Sequence, residues 1–339
     1  MGISLATKYR PTTFEEVCGQ TSIVKILERQ LALGQFNNCY LFSGPTGCGK
    51  TTLARIFANR INKNIGQPIE IDAASNNGVN EIRLITQDAQ ERSLEGEYKI
   101  YIIDEVHMLT SQAWNAFLKC IEEPPMYTIF MFCTTDAQKI PETIKNRLQR
   151  FNLSKISTSD IVNRLTHICM VENVRNYAES VDYISKISNG CLREAISSLD
   201  KCLSLSLDMH IDSTVDILGN YSQLMFSKLT DAIVDGNEQF IIQTVEDFSN
   251  RGHNLKLFVE QYLTFVFDLS KFCMFGDLKT TQIPESLIEQ VKYTTGIENN
   301  AKYFTNMANE LLDLKNMIRY DDDIKTSVEI TLIKISRGA

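Results

Sequence analysis

No stretch of this 339-residue chain approaches the ~20 consecutive apolar residues that a membrane-spanning helix needs, so no membrane role is expected. The opening Met-Gly-Ile-Ser-Leu-Ala-Thr-Lys shows no charged segment followed by a sustained apolar run, and without a secretory signal the expectation is a soluble cytoplasmic chain. No Cys-x-x-Cys occurs among the nine cysteines, which argues against structural zinc. Cys39, Cys133 and Cys169 lie in apolar segments and read as small buried hydrophobes in a reducing compartment. The four histidines are too scattered to form a ligand set. Basic residues are also in deficit, with 34 Lys and Arg against 42 Asp and Glu and a net charge of -8. That balance excludes a protein that coats nucleic acid indiscriminately, while a local basic stripe or basic partner surfaces stay open. Internal repeats and low-complexity tails are absent as well.

What is present is ample apolar material, 43% of residues, in a chain long enough for two to three domains. Up to about residue 152, short apolar strands alternate with helical stretches, the pattern of an α/β domain with a largely parallel sheet. The strand candidates are Cys39 to Ser43, Ile69 to Asp72, Ile100 to Asp104 and Ile129 to Cys133. In such sheets ligands bind at the carboxyl ends of the strands. After Phe151 the strand signal fades and the pattern is helical: Thr158 to Glu172, Ala178 to Ser188, Leu192 to Ser204, then longer helices through Phe226 to Phe275 and Ile283 to Ser336. A break near Ile211 to Ser222, containing Gly219-Asn220, divides a small helical lid from a larger helical domain. The domains expected are therefore 1–152, 153–217 and 218–339.

Gly44-Pro45-Thr46-Gly47-Cys48-Gly49-Lys50-Thr51 fits G-x-x-x-x-G-K-[ST], and it lies between a strand and a helix, where that motif works. Its glycines let backbone N–H groups and the helix N-terminus wrap phosphates, Lys50 reaches the β/γ-phosphates, and Thr51 ligates Mg²⁺, with Thr52 next to it. Leu53, Ile56, Phe57 and Ile61 give the following helix one apolar face. The strand Lys99 to Asp104 delivers Asp104 and Glu105 beside the γ-phosphate position. Asp104 would hold Mg²⁺ through water, and Glu105 would orient and polarise the attacking water. The alternative for the two acids is capping of the next helix. Asp104-Glu105-Val106-His107 also spells the D-E-x-H of a helicase superfamily, but such helicases need a second sheet-bearing motor domain, and everything after Phe151 reads as helix.

Lys8-Tyr9-Arg10-Pro11-Thr12-Thr13-Phe14-Glu15-Glu16-Val17-Cys18-Gly19-Gln20 resembles the N-terminal signature of AAA+ clamp loaders. Glu70 to Ser75, Ile103 to Leu109, Glu122-Glu123-Pro124-Pro125 and Thr134-Thr135-Asp136 resemble the gamma/tau subunits of bacterial DNA polymerase III, nearly to the chain's end at Glu329 to Leu332. The resemblance implies a P-loop AAA+ domain, a helical lid and an all-α collar through which subunits assemble. Tyr9, Arg10, Pro11, Val17 and Gln20 would border adenine and ribose, or simply pack. Thr135 would be the sensor-1 residue near the γ-phosphate, or cap a turn. Arg193 matches the sensor-2 arginine of the lid. Arg147, in Lys145-Asn146-Arg147-Leu148, stands where the family carries Ser-Arg-Cys, whose arginine reaches a neighbour's ATP site; Asn146 and Leu148 depart from that pattern, and Arg150 competes for the role. The family's four-cysteine zinc module is replaced by Asn62 to Pro68, and the long tau extension does not follow the collar, so a zinc-free short form is expected, in the host cytoplasm if the source is viral.

The activity implied is that of an ATPase subunit in a pentameric ring with other loader subunits, which opens a sliding clamp and places it on primer-template DNA. The cofactors are ATP and Mg²⁺. Asn76, Asn77 and Arg83 are candidates for following the DNA backbone, or form a solvated face. Trp114, Phe117 and Leu118 on the helix Ser111 to Glu122 could touch the clamp or pack in the core. Two rival functions are another DNA-directed AAA+ motor, for branch migration or restart, and a scaffold subunit that no longer hydrolyses ATP.

Overall fold

The computed structural model describes residues 3–93, 95–218, 223–250, 252, 254–276 and 300–338. Gly219-Asn220, His253 and the start of the helix expected from Ile283 lie outside them. Five strands form one parallel sheet: β1 (Cys39–Ser43), β2 (Ile69–Asp72), β3 (Lys99–Asp104), β4 (Thr128–Thr134) and β5 (Gln149–Asn152), in the order β2-β3-β4-β1-β5. β1 and β4 are buried along their whole length. Central strands covered on both faces lose the polar alternation of half-exposed ones, which is why they read as continuous apolar runs. β5 is an edge strand in which only Phe151 is buried, so its polar sequence carries no strand signal, and the sheet extends one strand further than expected.

Alternation within the strands splits the core in two. Tyr40, Phe42, Ile102 and Met131 face α2 (Thr21–Leu33) and α3 (Lys50–Ile61), while Leu41, Tyr101, Phe130 and Phe132 face α4 (Val79–Asp88) and α5 (Ser111–Glu122). The Thr110 side chain caps α5 by accepting from the Ala113 N–H at 3.2 Å, and Pro124-Pro125 ends it. Trp114 is 3% and Phe117 0% exposed, and Leu118 packs partly buried against the same cluster. These are core residues. Phe117→Ala is expected to destabilise the N-terminal unit by ~3–5 kcal/mol in denaturant melts, from lost apolar transfer plus the cavity left.

After β5 come α7 (Thr158–Val171), α8 (Ala178–Ile187) and α9 (Leu192–Leu203), preceded by two four-residue helices, α1 (Leu5–Lys8) and α6 (Glu142–Lys145). Chain contacts divide the molecule after Met209 into two compact units. The second unit is helical: α10 (Ile211–Ile217), α11 (Gln223–Val234), α12 (Glu238–Asn250), α13 (Leu255–Phe275), α14 (Asn300–Met317) and α15 (Ile324–Ser336). Residues 211–217, expected as a break, are thus a helix. Its core gathers Phe226, Phe258, Tyr262, Phe304 and Leu332, and the buried Tyr262 hydroxyl is satisfied by Thr230 at 3.0 Å. Among the described residues no helix is long and apolar enough to cross a membrane. All nine cysteines are free, and burial pushes the Cys39 and Cys169 thiols up to about 12, which leaves them protonated and unreactive.

Candidate functional site

The carboxyl ends of β1, β3 and β4 converge on the loop between β1 and α3. Gly44 N–H donates to the Thr134 carbonyl at 3.2 Å, tying the loop's first residue to the end of β4. Gly47 and Gly49 adopt φ of +69° and +100°, values that favour glycine. The result is a cradle in which Lys50, 7% exposed, donates to the carbonyls of Gly44 at 3.0 Å and Pro45 at 2.9 Å. Gly44 and Pro45 therefore stand behind the lysine, and neither lines the adjoining cavity of about 360 Å³.

Thr46 to Thr52, Asp104, Glu105 and Arg193 all line that cavity. The Thr51 hydroxyl donates to Asp104 Oδ2 at 2.8 Å, which sets two oxygen donors side by side where Mg²⁺, a hard cation that takes oxygen ligands, fits. Glu105 sits at φ +48°, a left-handed conformation uncommon for a residue with a side chain, and its Oε2 accepts from the Thr135 N–H at 3.3 Å and hydroxyl at 3.0 Å. Thr135 thus acts on the acid and does not itself line the cavity. His107 Nδ1, 3.2 Å from the same oxygen and 3.1 Å from Thr134 Oγ1, completes the cluster; it was not singled out as a site residue, although its position two residues beyond Glu105 places it there.

Tyr9, Arg10, Pro11 and Val17 also line the cavity, together with Thr7 and Cys18. Burial, together with the cations of Arg55 and Arg193, holds the Arg10 guanidinium below its ordinary range. The Glu70 and Asp104 carboxylates pull the other way, and Arg55 is itself paired with Glu70. Gln20 is placed differently from the expectation. It lies outside the cavity lining and bridges two backbone segments, donating to the Ser154 carbonyl at 2.7 Å and the Cys48 carbonyl at 3.5 Å while accepting from the Ser154 N–H at 3.3 Å.

Arg193 enters from the start of α9, which passes directly over the loop. A Cβ on Gly47 would stand 2.2 Å from Cys191 Sγ. Gly47→Ala is therefore expected to push α9 away and to strain a left-handed backbone by ~1–2 kcal/mol, weakening nucleotide binding about tenfold in titrations. Cys191→Gly in the same chain should restore part of the loss, because it removes the clash but not the strain.

Arg147 follows α6 away from this cavity, 39% exposed, with Nη2 2.7 Å from Glu122 Oε1 and Nη1 donating to the Thr143 carbonyl at 2.5 Å. Arg150 is exposed on β5, and Asn76, Asn77 and Arg83 are exposed between the end of β2 and the first turns of α4. Among the described residues no three or more His, Cys, Asp or Glu side chains are grouped to hold a metal.

Residues 63–157 match the family model described as DNA polymerase III, delta subunit. DNA polymerase III subunit tau of Bacillus subtilis is 34% identical, over 96% of this chain and 62% of its own length. The chain thus spans just under two thirds of that relative. DNA polymerase III subunit gamma of Buchnera aphidicola subsp. Schizaphis graminum is 30% identical over 97% of both chains. Among solved structures, the RuvB Holliday junction branch migration motor of Thermotoga maritima superposes with a TM-score of 0.53, at 19% identity, over 67% of this chain and 79% of its own. At that identity the likeness is one of fold. The sheet, the phosphate-type loop and two relatives matched over nearly the whole chain agree: this protein belongs to the DNA polymerase III gamma/tau family of AAA+ proteins.

Proposed function

We propose that this chain is an ATP-hydrolysing subunit of a sliding-clamp loader, which uses ATP binding to organise a ring of loader subunits around primer-template DNA and hydrolysis to release the clamp. The observation that carries the proposal is the convergence of Lys50, the Thr51–Asp104 pair and the Thr135-held Glu105 on one cavity in a chain of this family. ATP would lie with its phosphates in the loop, its base towards Tyr9 to Pro11, and Arg193 over the phosphates. Thr51 and, through water, Asp104 would hold Mg²⁺, which would supply charge neutralisation on the phosphate oxygens.

Thr135 bonds fall on Glu105 Oε2, so Oε1 is the oxygen offered to water. As the water oxygen attacks the γ-phosphorus, its proton passes to Glu105 and the bond from that phosphorus to the bridging oxygen breaks, releasing ADP and phosphate. On this reading residues 153–217 are the lid and 218–339 the collar of the assembled ring, while the chain's contacts group 211–217 with the second unit. Coupling to clamp and DNA arises because ATP contacts differ between assembly geometries, and only such a difference can shift the equilibrium between them.

The test is ATP hydrolysis by the purified chain with its co-purifying subunits, with and without sliding clamp and primed DNA. Lys50→Ala serves as the blank. Stimulation that requires both clamp and primed DNA supports the loader; stimulation by DNA alone points to another motor; binding without turnover under every condition points to a scaffold.

A further inference from the structure

Residues 3–11 reach the cavity, and among the described residues none of their hydrogen bonds or ion pairs runs to the sheet that carries the loop. They are held by the lid. The Leu5 N–H donates to Asp200 Oδ2 of α9 at 3.1 Å, the Arg164 guanidinium of α7 donates to the Tyr9 carbonyl at 2.7 Å, and Glu172, just past the end of α7, receives both the Lys8 ammonium at 2.7 Å and the Tyr9 hydroxyl. The four contacts span 155 to 195 residues of sequence. None of Arg164, Glu172 or Asp200 lines the cavity, whereas Tyr9, Arg10 and Pro11 do.

The spacing on α9 gives the arrangement its logic. Arg193, Ile196, Ser197 and Asp200 follow at i, i+3, i+4 and i+7, one face of a helix. The first three line the cavity, and the fourth holds the start of the N-terminal segment. One rigid helix therefore carries both the cavity-lining Arg193 and an anchor for the N-terminal segment. A wall that is positioned by groups beyond it recognises its ligand only as well as those groups hold it.

We propose that Arg164, Glu172 and Asp200 are positioning residues for nucleotide-base selectivity: from outside the cavity they fix Tyr9 to Pro11 as the wall against which adenine is read. The proposal rests on the nucleotide site described above. The phosphates are gripped by the loop regardless of the base. Loosening the wall accordingly weakens the adenine nucleotide and leaves a guanine nucleotide, which gains little from that wall, bound as before.

The experiment is a fluorescence titration of the full chain with ADP and GDP labelled on the ribose, comparing wild type with Glu172→Ala, Arg164→Ala and Asp200→Ala. Thermal melts without nucleotide run alongside. Each variant is expected to raise the ADP Kd by about tenfold, the size of one lost charge-assisted hydrogen bond, to leave the GDP Kd within about twofold, and so to shrink ADP/GDP discrimination. Glu172→Gln keeps an acceptor for the Tyr9 hydroxyl but loses the charge opposite Lys8, and should fall between wild type and Glu172→Ala. Unchanged discrimination in all three alanine variants overturns the proposal, as does equal weakening of both nucleotides together with a lowered melting temperature, which is what a purely structural role produces. A wild-type chain that binds neither nucleotide, or a Lys50→Ala chain that binds ADP as wild type does, overturns the nucleotide site itself, and the selectivity proposal with it.

Discussion

Glu105→Gln is expected to leave ATP bound and to slow its hydrolysis by ~10²–10⁴-fold, the range over which a positioned general base acts. The amide has the shape of the carboxylate and can still accept from Thr135 at the position where Oε2 now does so at 3.0 Å. What it loses is the negative charge that polarises water and the capacity to take the proton. Binding and chemistry should therefore separate. Nucleotide recovered from the quenched variant should be ATP where wild type yields ADP, while the Kd for ATP moves by less than about threefold. Thr135→Val removes one of the two bonds that Thr135 makes to the acid and should have a smaller effect, about tenfold, since the backbone N–H bond at 3.3 Å survives. A Glu105→Gln chain that hydrolyses ATP at the wild-type rate would remove Glu105 from the mechanism.

Arg147→Ala should reduce the hydrolysis rate of the assembled loader by ~10³-fold, the lower end of what a trans-acting arginine contributes to phosphoryl transfer, without altering ATP binding by the isolated chain. Two N–H groups of this side chain are engaged by Glu122 and the Thr143 carbonyl. A guanidinium carries five, so an orienting hold and a hand extended to a phosphate are compatible. Because Arg147 does not line the cavity of its own chain, the decisive measurement is mixing. Arg147→Ala and Lys50→Ala chains are each expected to be inactive, and combining them should restore part of the activity, since one would supply an intact nucleotide site and the other the arginine. Arg150→Ala, three residues on and exposed on β5, is the comparison that assigns the role. A large loss there and none at Arg147 would transfer it.

Legibility in the sequence followed burial and motif density. β1 and β4 are buried on both faces and announced themselves as apolar runs; β5 hides because it is four residues long with a single buried side chain. Lys50, Thr51, Asp104 and Glu105 were readable because each belongs to a short local pattern whose spacing the chemistry dictates. Gln20 was not, since its partner Ser154 lies 134 residues away, and nothing local distinguishes a glutamine that faces a ribose from one that bridges two backbone segments. The Glu122–Arg147 pair and the anchoring of the N-terminal segment are of the same kind, contacts created by the fold between residues that look solvated in sequence.

That glutamine bridge has a mechanical meaning. Between Leu153, whose N–H is fixed to the Ser43 carbonyl at 2.7 Å, and Ile156, whose N–H is fixed to the Gly190 carbonyl at 3.2 Å, only Ser154 and Lys155 cross from the sheet to the lid. Gln20 grips the first of them from both sides. With two soft torsions per residue, so short a crossing cannot let the lid drift. The tether is short, and it is set against the loop between β1 and α3, whose Cys48 carbonyl the same glutamine reaches at 3.5 Å.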